Sequence, residues 1–276
     1  MPLLLIDHTG IMAKKLSLAW CRFERDSAQP VDRLTIERLK HGTLRVRGDW
    51  DAESVVCVLL SMARMKVSDL SLLKHMASLF TPTMLQSMRP AWVVAAVWGF
   101  TVSGFYNVQH THVLWERLAH QDVYRYFTAA DIALVVWSMG ESNVLLSRSL
   151  LFHLLCMVPL PTIWANMGSA CISHLAHGLA KLGFLTIPMM NTLAQRMLCT
   201  EEHSNIKVQD LVDIVWASSQ IGLQAPWFTK VCINLIWEFL PTLSHDHSAL
   251  LLRSRGIFPE NAPFTTSSAG KQTKSW

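Results

Sequence analysis

Twelve histidines are the residues of this chain that most readily suggest chemistry. Closely spaced imidazoles can hold a metal ion, but a catalytic zinc site also needs an acidic group at a defined spacing, as in an H-E-x-x-H helix. No such motif occurs in the sequence. The pattern therefore favours structural or surface histidines over a metal centre. The close groups are His174 with His177, His110 with His112, and His245 with His247.

The rest of the sequence holds no motif typical of catalysis or cofactor binding. There is no G-x-S-x-G turn, no glycine-rich phosphate loop and no paired-carboxylate motif. The six cysteines are scattered without a C-x-x-C pair, which indicates free thiols in a reducing compartment. We therefore expect no enzyme activity, no cofactor, no metal and no small-molecule substrate. The cysteines are Cys21, Cys57, Cys156, Cys171, Cys199 and Cys232.

The composition predicts a large buried core and surfaces that other molecules cover. Hydrophobic residues make up 51% of the chain and charged residues only 16%, whereas an average domain has about 25% charged residues. The best candidate for a membrane span, residues 91–106, is shorter than the roughly 20 apolar residues that a spanning helix needs. We therefore expect no membrane span.

Apolar segments recur along the chain at a nearly constant interval. Six anchor positions within these segments follow one another at spacings of 40, 38, 39, 40 and 39 residues. A period of this length is typical of stacked helical repeats. Since one anchor is a histidine among tryptophans, the column also favours a core role for that histidine. The anchors are Trp20, Leu60, Trp98, Trp137, His177 and Trp216.

Two other columns keep the same period. The residue after each anchor is small or cysteine, which lets a neighbouring helix approach closely. Six residues after the anchor, four of the six repeats have glycine or asparagine, which tolerate the left-handed backbone that ends a helix. The first column is Cys21, Ser61, Gly99, Ser138, Gly178 and Ala217, and the second is Asp26, Lys66, Gly104, Asn143, Gly183 and Gly222.

These columns describe a repeat of two helices. The first helix spans 12–13 residues and is predicted to begin at an N-cap such as Ser54, Asp131 or Asp210. Apolar residues at helical spacing, such as Leu72 and Met76, predict a second helix after a short turn. Neither helix can bury its apolar face alone, so the repeats are expected to stack.

The sequence thus predicts an all-α fold, an α-solenoid of about six two-helix repeats of about 39 residues each. We expect an N-terminal segment over residues 1–15, the α-helical repeat array over 16–252, and a tail over 253–276 that is flexible or ordered by a partner. The segment 43–47 is the only short candidate for a β-strand.

Positive charge is concentrated at the two ends of the chain. Residues 1–90 hold 13 Lys and Arg against 9 Asp and Glu, residues 91–252 hold 7 against 10, and residues 253–276 hold 4 against 1. Lys and Arg can contact RNA phosphates without reading sequence, although ordinary solubility calls for the same residues. The candidate RNA-binding residues are Arg22, Arg25, Arg45, Arg47, Arg64, Lys66 and Lys181, of which Arg45 and Arg47 fall in a predicted loop, 42–48.

The first helices offer two further candidates for RNA recognition. Positions three before and four after the anchor share a helix face and vary between repeats, as a one-base-per-repeat reader requires. A solvated or protein-covered face predicts the same variation, and we favour that interpretation. Tryptophan anchors could stack on bases, but tryptophans in apolar segments are more typical of core between repeats. The positions are Ser17/Glu24, Cys57/Arg64, Ala95/Val102, Leu134/Glu141, His174/Lys181 and Asp213/Gln220.

The sixth repeat carries the most informative pattern. It has the pair Trp216-Ala217, then Gly222, and then Pro226 followed by aromatic residues at the start of the second helix. This pattern resembles octotricopeptide and heptatricopeptide repeats and the helical arrays of FAST-kinase-like proteins, over roughly residues 16–250. Many such proteins end in a nuclease-like RAP domain. The sequence after residue 252 is too short for one, so we expect no nuclease activity.

The resemblance implies an organellar protein that works with RNA. Together with the charge pattern, it predicts a non-catalytic subunit of an organellar ribonucleoprotein, most simply a mitochondrial ribosome component in the matrix. The basic ends would contact rRNA, and several protein subunits would cover the rest. The alternative is a protein-only scaffold or accessory subunit of a mitochondrial complex. Phosphate contacts weaken steeply with salt and an apolar protein interface does not, so salt dependence separates the two.

Overall fold

The computed structural model describes residues 8–26, 33–46, 50–143, 148–199 and 206–222. In this part of the chain the regular structure is entirely helical, with 14 helices and no strand, which confirms the all-α class. The helices are α1 (His8–Asp26), α2 (Arg33–Arg45), α3 (Ala52–Arg64), α4 (Leu70–Ser78), α5 (Pro82–Ser87), α6 (Pro90–Val102), α7 (Val108–Ala119), α8 (Gln121–Tyr124), α9 (Ala129–Ser142), α10 (Arg148–Met157), α11 (Pro161–Ala165), α12 (Ser169–Lys181), α13 (Ile187–Cys199) and α14 (Val208–Gln220).

The chain divides into two compact units, residues 1–127 with 146–150 and residues 128–145 with 151–276. The first unit contains α1 to α8, the second contains α9 and α11 to α14, and α10 is shared. The first helix begins at His8, ahead of the predicted start of the array at residue 16. Among the described helices, none has the length and apolar character needed to cross a membrane.

In the first unit, helices one repeat apart lie side by side. α1 packs on α3, and α3 packs on α6. The second helices form a matching row, in which α4 contacts both α2 and α7. The short helix α5 follows α4, and the short helix α8 follows α7. These repeats therefore have a third short helix that the two-helix prediction did not include.

In the second unit, α12 packs between α9 and α14, and α13 packs on α12. α9, α12 and α14 have 14, 13 and 13 residues, in agreement with the predicted length of the first helix. The short helix α11 follows α10 in the same way as α5 follows α4.

The first helices begin three residues earlier than predicted. The N-caps of α3, α9 and α14 are Asp51, Thr128 and Lys207. The Asp51 carboxylate accepts the backbone N–H of Ser54 at 2.7 Å, and Thr128 forms a capping box with Asp131. Acidic and hydroxyl side chains are also favoured in the first turn, so composition alone does not separate that turn from the cap. The predicted N-caps Ser54, Asp131 and Asp210 all lie three residues inside a helix.

The ends of the first helices agree with the prediction. All five residues that follow the anchors of the second to sixth repeats by six positions have positive φ. After two of these turns, the N–H of Phe105 donates to the Phe100 carbonyl and that of Phe184 to the Leu179 carbonyl, both at 2.9 Å. This closing bond is typical of a left-handed helix end. The φ values are +55° at Lys66, +72° at Gly104, +49° at Asn143, +72° at Gly183 and +64° at Gly222.

The one candidate for a strand, 43–47, is not a strand at Thr43 to Arg45, which form the last turn of α2. Thr43 is fully buried, and its hydroxyl donates to the Leu39 carbonyl at 2.8 Å, one helical turn back. The same oxygen accepts the Trp20 indole N–H at 3.1 Å. This tertiary contact with α1 holds a β-branched residue in a helix.

The small residues after the anchors allow the closest helix contacts, as predicted. A Cβ atom on Gly178 of α12 would lie 2.8 Å from the Trp137 Cα of α9. In the first unit, a Cβ atom on Gly99 of α6 would lie 3.3 Å from the Leu59 Cβ of α3. The space for a side chain at Gly178, between the backbones of α9 and α12, is therefore smaller than the space at Gly99, between α6 and the Leu59 side chain of α3.

Candidate functional site

A group of charged side chains joins the first helices of the second unit. We call it the polar seam: Glu141 on α9, His177 and Lys181 on α12, and Asp213 on α14. The His177 Nε2 donates to the Glu141 Oε1 at 2.8 Å, and the Lys181 Nζ lies 2.7 Å from the same oxygen. The His177 Nδ1 lies 3.5 Å from the Asp213 Oδ1, an ion-pair distance that is too long for a good hydrogen bond. The seam therefore links three helices through one imidazole.

The surroundings of His177 favour its protonated form. Burial lowers the pKa of His177, but the carboxylates of Asp213 and Glu141 outweigh burial and raise it above its ordinary value. Burial raises the pKa of Glu141, but His177 and Lys181 outweigh burial and lower it. The pKa of the neighbouring His174 is lowered, chiefly by burial. The two carboxylates therefore favour the protonated form of His177 more than water does.

Aromatic rings pack against His177 and against its neighbour His174. The His177 ring lies 4.4 Å from the Trp216 ring, with an angle of 30° between the planes. The His174 ring lies 5.7 Å from the Trp137 ring. The anchor column therefore places these residues against the next helix. Because Trp216 is only 8% exposed, it has no free face on which a base could stack.

A histidine between two carboxylates is also a common arrangement in acid–base catalysis. Here His177 is 4% exposed and Asp213 is 7% exposed, so a substrate has no access to the ring in this arrangement. The seam is therefore a packing device. The sequence reasoning placed His177 in the core correctly, but it did not anticipate the ion pairs, since the partners lie 36 residues away on either side.

A smaller counterpart lies between α1 and α3 in the first unit. The Arg64 Nη1 lies 2.8 Å from the Glu24 Oε1, and the Ser61 hydroxyl donates to the Glu24 Oε2 at 2.9 Å. Arg64 and Glu24 both lie four residues after an anchor, as Glu141 and Lys181 do. In both pairs, side chains at the positions considered for base reading form ion pairs with each other across neighbouring helices.

The predicted RNA-binding residues fall into three groups. Arg22 on α1, Arg45 at the end of α2 and Lys66 after α3 are exposed, and no ion pair links them to a described carboxylate. Arg45 lies in a helix and not in the predicted loop. Arg64 and Lys181 are bonded to Glu24 and Glu141. Arg25 has only its backbone within the described part of α1, and Arg47 lies outside the described residues.

The structure adds four exposed cations that the sequence reasoning missed. They extend the candidate site over α1 and α2, which pack on each other. Two pairs, Lys15 with Arg22 and Arg38 with Arg45, are seven residues apart on one helix, so each pair shares a face over about 10 Å. The excess of Lys and Arg in residues 1–90 was the signal for this surface. We call it the basic surface: Lys14, Lys15, Arg22, Arg33, Arg38 and Arg45.

Charge pairing supports the distinction between the basic surface and the rest of α2. Lys40 lies 2.9 Å from the Glu37 Oε1 and 2.7 Å from the Asp69 Oδ2, so its charge is neutralised. None of the six residues of the basic surface makes an ion pair within the described part of the chain. Exposed cations on two adjacent helices, without described carboxylate partners, are a candidate site for a polyanion.

None of the cysteines whose side chains the structure describes is in a disulfide, and no metal cluster forms among the described residues. Cys21, Cys57 and Cys171 are partly buried and Cys156 is exposed. Burial and the neighbouring Cys21 raise the pKa of Cys57 to about 11, so that thiol is neutral and weakly reactive. No group of three His, Cys, Asp or Glu side chains suited to a metal ion is present in the parts of the chain that the structure describes.

Comparison with known proteins adds no relative to this description. No protein-family model matches the chain, and no curated protein matches it.

Proposed function

We propose that this protein is a non-catalytic subunit of an organellar ribonucleoprotein that contacts RNA through the basic surface. The observation that carries the proposal is the set of exposed cations on α1 and α2 without described carboxylate partners. The fold we propose is an α-solenoid of about six repeats. The side-by-side packing of first helices within each unit supports that arrangement.

The proposed setting is a mitochondrial ribosome, in which the basic surface contacts rRNA and neighbouring proteins cover the apolar surfaces. This part rests on the resemblance of the repeat pattern to organellar helical-repeat families. The small number of charged residues supports it, since a surface with few charges is suited to a large assembly.

Salt-dependent RNA binding tests the basic surface. We would measure binding of the full chain to a labelled single-stranded RNA over a range of KCl concentrations. Replacing Lys15, Arg22, Arg38 and Arg45 with glutamine should flatten the slope of log K against log salt by about 3, since each phosphate contact contributes about 0.7.

A charge-matched variant controls for net charge. Lys74, Arg89, Arg125 and Arg148 are exposed cations outside the basic surface, and their replacement with glutamine should leave the salt slope unchanged. Equal effects of the two variants would show that only net charge matters and would overturn the assignment of the surface.

Sedimentation tests the ribonucleoprotein itself. The tagged protein would be isolated from its native cells and run on a gradient with and without RNase. Movement with a large particle that RNase disperses is the expected result. Movement with proteins alone, unchanged by RNase, would contradict the proposal.

The second candidate is a protein-only scaffold, and exposed apolar side chains favour it. Leu34 on α2 is 68% exposed and Phe152 on α10 is 66% exposed. Both side chains would be removed from water in a protein complex, and contiguous apolar patches mark such surfaces. The same gradient distinguishes this candidate, because its complexes would survive RNase.

A further inference from the structure

A cavity of about 310 Å³ opens in the second unit between the end of α10 and α11, α12 and α13. Eight of its nine lining residues are apolar, among them Leu155, Trp164, Leu179 and Leu193. Its volume lies at the small end of the range of ligand sites, about 300 to 1,000 Å³. The cavity can therefore hold one small apolar group.

The interior of the cavity offers little polar recognition. Thr192 of α13 is the one lining residue with a hydroxyl, and that hydroxyl already donates to the Pro188 carbonyl at 3.0 Å. A ligand with polar groups along its length would lose hydrogen bonds to water without replacing them. The lining therefore favours a hydrocarbon over a sugar, a nucleotide or a peptide backbone.

Arg196 lies one turn beyond the lining residues of α13. It follows Thr192 by four residues and Leu193 by three, so it shares their face of the helix. Its Nη2 donates to the Ala165 carbonyl at 3.1 Å, beside the lining residue Trp164. Its Nε is buried and makes no hydrogen bond within the described residues. An anionic partner would therefore bind to the terminal Nη groups of the guanidinium.

The helices around the cavity carry no acidic side chain that would repel an anion at this end. α10, α11, α12 and α13 contain no Asp or Glu, and the sequence has none between Glu141 and Glu201. An anionic head group beside Arg196 therefore meets no carboxylate from any helix that lines the cavity. An apolar interior with a cation at one end matches a molecule with a hydrocarbon tail and an anionic head.

We propose that this cavity binds the acyl chain of a fatty carboxylate, with the tail among the apolar lining residues and the carboxylate paired with Arg196. The site is independent of the basic surface, which lies in the first unit. The tail gains affinity in proportion to the apolar area that it buries. The head group fixes the direction of the chain and discriminates against a neutral amphiphile.

The test uses dodecanoate below its micelle concentration, with dodecanol as the neutral analogue, titrated into the full chain by calorimetry. The expected result is saturable binding of one dodecanoate per chain. Thr192→Trp places a large ring in the cavity from an exposed helix position, and should weaken both ligands at least tenfold. The control Gln195→Trp, also exposed on α13, should bind both ligands normally.

The head group is tested separately. Arg196→Gln should weaken dodecanoate roughly tenfold, because a charge-assisted hydrogen bond is lost, and should leave dodecanol unchanged. Arg148→Gln removes an exposed cation from α10 and should affect neither ligand. A helical circular dichroism spectrum equal to that of the parent confirms that each variant is folded.

Three results would overturn the proposal. These are no saturable binding of dodecanoate, equal binding by Thr192→Trp and the parent chain, and saturable binding of an acidic amphipathic peptide in place of dodecanoate. The last result would identify the cavity as part of a protein-docking surface.

Discussion

The two units use the same repeat positions for different chemistry. Between α9, α12 and α14, the positions at and around the anchor hold the buried polar seam, with His177 between Glu141 and Asp213. Between α3 and α6, the corresponding positions are largely apolar, and Gly99 packs against Leu59. Both interfaces have glycine after the anchor, yet Gly178 meets backbone and Gly99 meets a side chain, so the small residue permits close approach without setting the distance. The variable positions decide whether charged or apolar side chains lie between the helices.

The ion pairs of His177 and of Arg64 also differ in burial, and therefore in how much they contribute to stability. The His177 side chain is 5% exposed, whereas the Arg64 side chain in the α1–α3 pair is 57% exposed. An exposed ion pair is solvated and contributes little, whereas a buried charge must be compensated by its partners. The predictions below separate the two cases.

The largest expected effect comes from removing the shared imidazole. His177→Leu leaves Asp213 buried without its charged partner, while the partly buried Glu141 keeps its ion pair with Lys181. We therefore expect a loss of about 3 kcal/mol in the free energy of unfolding. Urea denaturation measures it. The control His41→Leu, at an exposed position on α2, should change stability by less than about 0.5 kcal/mol.

A compensating triple variant tests the mechanism of this effect. Adding Glu141→Gln and Asp213→Asn to His177→Leu should recover part of the loss, because no buried charge is then left uncompensated. If the triple variant is less stable than the single one, the polar seam acts through shape and not through charge.

The second expected loss of stability comes from adding a methyl group between α9 and α12. Gly178→Ala places a methyl group 2.8 Å from the Trp137 Cα and against the Val136 carbonyl, so the two backbones must move apart. We expect a loss of about 3 kcal/mol. Gly99→Ala meets the Leu59 Cβ at 3.3 Å and gains helix propensity, so its net change should stay below about 1 kcal/mol. Equal losses at the two sites would refute the difference between the interfaces.

The third prediction is a pH dependence of stability that arises from His177 in the second unit. The raised pKa of His177 means that its stabilising contribution is complete below its unfolded value of about 6.5 and is lost as the pH rises through the folded value. The lowered pKa of His174 acts in the opposite sense below about 6.5. The charged groups around the two rings are Glu141 on α9, Lys181 on α12, and Asp210 and Asp213 on α14.

Comparison of the parent with His177→Leu isolates the His177 term, since both chains keep His174. Their difference in unfolding free energy should decrease as the pH rises above about 6.5. Denaturant titrations at a series of pH values provide the measurement. A difference that increases over this range would contradict the sign of the assigned shift.

The smallest expected effect is at the exposed pair of the first unit. Arg64→Gln breaks the ion pair with Glu24, but Glu24 keeps the hydrogen bond from Ser61. We expect a loss of about 0.5 kcal/mol that disappears in high salt. Thermal unfolding in low and high salt distinguishes this outcome from a structural role, for which the loss would persist at high salt.

Much of the local structure follows from the sequence. The helix ends at Gly104 and Gly183, the small residues that allow close contact, and the core position of His177 were all predicted from columns of the repeat. The helix starts were placed three residues late, because acidic and hydroxyl residues serve both as caps and in the first turn. The strand candidate at 43–47 begins with a helix end, at Thr43 to Arg45, since a contact with Trp20 outweighs β-propensity.

The sequence by itself determined the helical class and the ends of several helices, because backbone preferences and apolar periodicity act over a few residues. Tertiary structure decided which charges are available to a partner. Lys181 and Arg64 looked like phosphate contacts, but each meets a carboxylate 40 residues earlier in the chain, whereas Lys15 and Arg38 meet none among the described residues. Ion pairing depends on distances of a few ångströms between helices, and only folding sets those distances.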